Sequence, residues 1–136
     1  MRVLVADGEW LSRAGLVKLV EERGDEVVSQ ARDGFEALEQ ARALRPDVAL
    51  LGVRMPRCDG LEATRLIKAE LSEIAIVVVA SEREGGDLLE TLSSVIAGCI
   101  PRDRPEAELT RVLDGLANGL RPEGVAAPAG KEKQCM

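Results

Sequence analysis

Few side chains in this sequence could do chemistry, and the absences say as much as the groups present. No histidine occurs anywhere, which rules out histidine-based acid–base catalysis, triads and histidine metal sites. The three cysteines, Cys58, Cys99 and Cys135, have no metal-ligand spacing and read as unpaired thiols of a reduced, cytoplasmic protein. What remains are carboxylates at the ends of apolar runs. Asp7 follows Val3-Leu4-Val5-Ala6, and Glu9 stands two residues on. A later run, Ala49-Leu50-Leu51, ends at Gly52 and leads through Met55-Pro56 to Asp59-Gly60. In open α/β sheets, ligands and reacting groups gather beyond the carboxyl ends of the strands. Asp7 and Gly52 therefore stand where reactive side chains belong, and one of the two has no side chain.

The elements that must position them are legible in the patterning. At 136 residues the chain is about one domain, able to bury a core without disulfides or metals. Hydrophobic residues make up 46% and charged residues 31%, a soluble globular balance. No apolar run approaches the roughly 18 residues of a membrane span, and no signal-peptide pattern opens the chain. A net charge of −6 disfavours DNA and anionic membranes as direct partners. Trp10 and Phe35 are the only aromatics, so stacking platforms for single-stranded nucleic acid are lacking.

Val3-Leu4-Val5-Ala6 reads as a first strand. A helix follows from Trp10, with Leu16, Leu19 and Val20 on one face, and Gly24 closes it. Val27-Val28 centre a second strand, and Asp33-Gly34 opens a helix whose Leu38, Ala41 and Leu44 repeat until Arg45-Pro46. Val48 to Leu51 read as the third strand, and Leu61, Thr64, Ile67 and Leu71 line a third helix. Residues 74–80 are the most β-branched run and predict a central fourth strand. Leu88, Leu89, Leu92, Val95 and Ile96 predict a fourth helix, and Cys99-Ile100 a short fifth strand before Pro101. Leu109, Val112, Leu113, Leu116, Ala117 and Leu120 predict a fifth helix from about Glu106. Residues 121–136 have no period and read as a flexible tail or linker remnant that cannot form a helix-turn-helix. Five strands alternating with five helices imply a doubly wound parallel sheet of flavodoxin-like order 2-1-3-4-5. That order sets Asp7 beside Gly52.

Four blocks carry a family resemblance: Val3-Leu4-Val5-Ala6-Asp7, Ala31-Arg32-Asp33-Gly34-Phe35-Glu36-Ala37-Leu38, Arg45-Pro46-Asp47-Val48 and Met55-Pro56-Arg57-Cys58-Asp59-Gly60-Leu61-Glu62. In order and spacing they resemble the receiver domain of two-component response regulators, of the type preceding a LuxR-type helix-turn-helix domain. The resemblance covers residues 2–120. It implies an Asp at the end of the third strand that takes a phosphoryl group from a kinase's phosphohistidine. That Asp and two acids after the first strand would hold magnesium. A Ser or Thr after the fourth strand and a Lys after the fifth would bind the phosphoryl oxygens.

Position by position, the sequence departs from this pattern. The phosphoacceptor position is Gly52, and the acidic pair is Asp7-Gly8. The Ser/Thr position is Ala80, with Ser81 offset by one and so expected on the other face. The Lys position is Arg102, and the aromatic usual in the fifth strand is Cys99. Glycine has no carboxylate to phosphorylate, Mg²⁺ retains one acidic side chain and should bind weakly or not at all, and Ala80 has no donor. Arg102 is placed either to reach Asp7 and neutralise it or to point to water. Val95-Ile96 replaces the family's usual Gly-Ala pair, either filling the core or widening the face formed by the fourth helix, fifth strand and fifth helix.

The sequence therefore predicts one receiver-like domain over residues 1–120 with a degenerate pocket at Asp7, Gly8, Gly52, Ala80 and Arg102. It is expected to be non-enzymatic and cofactor-free, and to signal independently of phosphorylation, through a protein partner or self-association on that output face. Two alternatives stand: a phosphorylatable regulator using Glu9 or Asp7, and a pseudo-receiver sensing a small molecule in the vacated cleft.

Overall fold

The structure, a computed structural model, describes residues 1–81 and 94–119. In chain order they form β1 (Arg2–Ala6), α1 (Trp10–Glu22), β2 (Glu26–Ala31), α2 (Gly34–Leu44), β3 (Val48–Gly52), α3 (Gly60–Glu70), β4 (Ala75–Ala80), β5 (Gly98–Pro101) and α4 (Pro105–Ala117). All strand pairs are parallel, and the sheet order is β2-β1-β3-β4-β5, as the alternation of elements predicts. Four helices stand among the described residues. The helix expected fifth in sequence is α4, and Leu88, Leu89 and Leu92 of the expected fourth helix lie outside the described residues, as do Leu120 and residues 121–136.

Two residues assigned to that fourth helix are corrected. Val95 sits in a turn and Ile96 beyond it, outside any helix. Ile96 is buried and Val95 packs against the same core. Neither has a positive φ, so no left-handed strain accompanies these β-branched residues, and their bulk goes into packing.

Each central strand is covered on both faces, which is why its sequence is continuously apolar rather than alternating. On one face Leu4, Ala6, Ala49, Leu51, Ile76 and Val78 pack with Ala37, Leu38 and Ala41 of α2 and Leu61, Ala63 and Ile67 of α3. On the other, Val3, Val5, Leu50, Val77, Val79 and Ile100 pack with Leu16 and Val20 of α1 and Leu109, Val112 and Leu113 of α4. Of the cysteines expected to be unpaired, Cys58 is a free, buried thiol. Cys99 is buried in β5.

The Asp-Gly pairs at Asp33-Gly34 and Asp59-Gly60 begin helices. The Asp33 carboxylate accepts from the Glu36 N–H (2.9 Å) at the start of α2. Asp59 accepts from the N–H groups of Leu61 (3.0 Å) and Glu62 (2.8 Å) at the start of α3, which satisfies orphan helix donors. At the other end of α2, Arg45 turns left-handed (φ 49) before Pro46, and Arg2 Nη1 donates to the carbonyls of Leu44 (2.8 Å) and Arg45 (2.9 Å).

Gly60 ties α3 to the end of β3. Its N–H donates to the Val53 carbonyl at 2.9 Å, and a Cβ there would lie 2.2 Å from the Gly52 carbonyl oxygen. The obstacle is backbone, so relief requires moving β3 or α3. We expect Gly60→Ala to destabilise the domain by about 2–3 kcal/mol, the upper part of the overpacking range, measured as a shift in urea unfolding midpoint at constant m-value.

Candidate functional site

At the carboxyl ends of β1 and β3 the chain buries a charge. Asp7 is 1% exposed. Its backbone N–H donates to the Ala31 carbonyl (3.0 Å), continuing the β1–β2 ladder, and the Asp7 carbonyl accepts from Arg13 Nη1 (2.8 Å). Its Oδ1 accepts from the Glu9 N–H (2.9 Å), an Asx-type turn that leads the chain into α1. Its Oδ2 accepts from Ser12 Oγ (2.7 Å) and from Arg102 Nη1 (3.1 Å), and the same Nη1 also donates to Ser12 Oγ (3.1 Å). A buried carboxylate is tolerated only with hydrogen bonds and a compensating charge. Of the two expectations for Arg102, the one that takes it to Asp7 holds. Its backbone N–H donates to the Ala80 carbonyl (3.0 Å) just past β5, which aims the side chain back over the sheet.

Gly52 lies beneath this pair. A Cβ at position 52 would meet Asp7 Oδ2 at 3.2 Å and Arg102 Nη2 at 3.4 Å. The carboxylate and guanidinium thus stand directly over the position where a side chain would emerge. Gly8 is closed in from the other side: a Cβ there would lie 2.9 Å from Pro56 Cδ and 3.2 Å from the Arg54 carbonyl oxygen. Ala80 is fully buried in the core shared with α2 and α3. Asp7, Gly8, Glu9, Arg54, Met55, Pro56, Ser81 and Arg102 line a cleft of about 560 Å³.

Ser81 corrects one expectation, since it lines this cleft rather than facing away. Alternation holds only inside a strand, and β4 ends at Ala80, so the pleat no longer dictates where the next residue points. Ser12 is the residue that sequence reasoning missed. The signal was present: Asp7, Glu9 and Ser12 span the entry to α1, where a serine in the first helical turn can meet a carboxylate at the preceding strand end. Glu9 is exposed at the cleft, with its N–H spent on Asp7.

The loop over Gly8 is held from its far end by a second ion pair. Arg57, left-handed at φ 66, donates through Nε (3.1 Å) and Nη2 to Asp33 Oδ2, and the Gly34 N–H donates to the Cys58 carbonyl (2.8 Å). Burial pushes the Cys58 thiol up, so it is not a thiolate nucleophile at neutral pH. The Arg57 guanidinium, helped by the Glu36 N–H, holds the Asp33 carboxyl below the usual carboxylate range. A depressed folded pKa gives stability that is full above the unfolded value, about 3.9, and is lost as pH falls through the folded value. Asp33→Asn keeps the helix cap but not the charge. It should be less stable than wild type at pH 6–7, and the gap should close as pH drops below about 4, measured by urea midpoints across pH.

The chain matches the model of the response regulator receiver domain over residues 3–114. It is 30% identical over 127 residues to the transcriptional regulatory protein LnrK of Bacillus subtilis, covering 90% of this chain and 58% of that protein. It is 36% identical over 122 residues to the response regulator GacA of Pseudomonas viridiflava, covering 89% and 57%. The chain thus spans somewhat over half the length of these curated relatives. Among solved structures it is similar to the signal receiver domain of NarL from Mycobacterium tuberculosis, at a TM-score of 0.72 and 30% identity, covering 88% of this chain and 97% of that one. It is also similar to a LuxR-family two-component response regulator from Aurantimonas, at a TM-score of 0.79 and 25% identity, covering 97% and 96%. With the sheet order, the strand-end site and a family match over most of its length, the chain belongs to the response regulator receiver domain family.

Proposed function

We propose that this domain signals in a two-component, phosphorelay-type pathway without accepting a phosphoryl group, as a non-enzymatic module that works through protein contacts. The observation that carries the reading is Gly52 beneath the Asp7–Arg102 pair. An aspartyl phosphate needs a carboxylate nucleophile, and position 52 has none. Asp7, the one acid the pocket retains from the family pattern, is buried with both oxygens already accepting hydrogen bonds. Ala80 offers no donor where a phosphoryl oxygen would be bound. A receiver whose switching groups are absent is biased by partners rather than by covalent charge.

The contact surface we assign is β5 and α4 with the segment leading into β5, facing a partner protein or a second copy. The acidic net charge argues against direct nucleic-acid or membrane contact, so a role in transcription regulation would be exerted through a partner or a further domain. A cytoplasmic location is the setting in which such partners are met. A second reading, sensing of a small molecule, is favoured by the strand-end cleft, whose volume of about 560 Å³ falls within the range of roughly 300–1,000 Å³ typical of ligand pockets.

Incubation with acetyl phosphate and Mg²⁺, followed by intact-mass measurement, tests the leading reading. No phosphoryl adduct is expected. A stoichiometric adduct would overturn it and, mapped to Glu9 or Asp7, would establish the atypical-acid alternative. A ligand that raises the melting temperature in a thermal-shift screen would favour the sensor.

A further inference from the structure

Receivers of this family hold magnesium at the strand ends, and the residues here do not fit it. Mg²⁺ requires close to octahedral oxygen coordination at about 2.0–2.1 Å and takes one or two carboxylates with waters. Position 8 supplies no carboxylate, and the Pro56 ring and the Arg54 carbonyl stand where its Cβ would go. Position 52 supplies none either. The oxygens of Asp7 are already engaged, Oδ1 by the Glu9 N–H and Oδ2 by Ser12 and Arg102. A divalent ion on Oδ2 would also have to sit against a fixed guanidinium of like charge.

We infer that Arg102 is the resident cation of this pocket. Its guanidinium compensates Asp7 as a metal would, from within the chain, and keeps divalent ions out. Ser12 is its positioning residue: the hydroxyl accepts from Arg102 Nη1 while donating to the same Asp7 oxygen, so acid, hydroxyl and guanidinium form a closed triangle. Gly52 leaves the space beneath the triangle open, since a Cβ there would meet Asp7 Oδ2 at 3.2 Å and Arg102 Nη2 at 3.4 Å. This deepens the phosphorylation-independent reading by naming what replaces the metal.

Mn²⁺ is a probe with its own readouts, because a bound ion loses its free electron-paramagnetic-resonance signal. An ion held at Asp7 would also be three residues along the chain from Trp10, the only tryptophan, whose emission gives a second readout. With wild-type protein and no phosphodonor, neither signal loss nor quenching is expected at millimolar Mn²⁺ beyond that of a NaCl control of matched ionic strength. Arg102→Gln removes the charge and uncovers Asp7, and should take up Mn²⁺ at least tenfold more tightly than wild type, with quenching of Trp10. Should that variant fail to fold, Arg102→Met, which keeps an unbranched stem without the charge, serves the same comparison, and uptake above wild type is again expected. Wild-type uptake with Trp10 quenching, or uptake by the folded variant no greater than wild type, overturns the inference. Because no phosphodonor is present, wild-type metal uptake would leave the absence of a phosphoryl adduct untouched, and an adduct would leave the metal result untouched.

Discussion

A carboxylate taken almost wholly out of water at the end of β1 sets the terms for the rest of the site. A carboxylate so buried needs hydrogen-bond donors, and for Asp7 each comes from a different part of the chain: the Glu9 N–H at the entry to α1, Ser12 on the first turn of that helix, and Arg102 on the connection from β5 to α4. One buried charge thereby pins two helices on the same side of the sheet to the strand ends. A well-bonded buried pair need not add stability over an apolar replacement, yet removing one partner commonly costs about 3–5 kcal/mol because the other is stranded. The interaction therefore acts more as a constraint on arrangement than as a source of stability.

Around it the glycines act as allocated space. Gly52 leaves room for the guanidinium, Gly8 lets the loop at Arg54 to Pro56 settle onto the end of β1, and Gly60 lets α3 begin against the Gly52 carbonyl. These absences are coupled. A side chain at position 52 would contest the volume that Arg102 uses, and one at position 8 would lift the loop that the Asp33–Arg57 pair holds from its other end. The departures from the family pattern at positions 8, 52 and 102 thus form one packed arrangement rather than three separate losses.

The family and its fold place a site at the strand ends, but a fold hosts many functions and the chemistry must be argued from the side chains. Here those side chains consist of a neutralised acid, an exposed glutamate, a serine just outside its strand, and a loop closed over the missing acid.

The strand and helix order, both Asp-Gly helix starts and the position of Gly52 were all legible in the sequence, because they rest on local periodicity and turn chemistry. The stop at Arg45-Pro46 was legible for the same reason. So was the neighbourhood of Asp7 and Gly52, since short right-handed crossovers leave few sheet orders open. Only tertiary structure decided where Arg102 points, because a long cationic side chain goes to water unless a buried charge lies within reach. Ser12 joined the site for the same kind of reason: α1 packs so that its first turn meets the end of β1. Ser81 went against the pattern-based expectation because it lies just past β4, the strand whose alternation was used to place it. Sequence alone thus determined which side chains stand at the strand ends, and packing determined that the Arg102 guanidinium lies over Gly52 against Asp7.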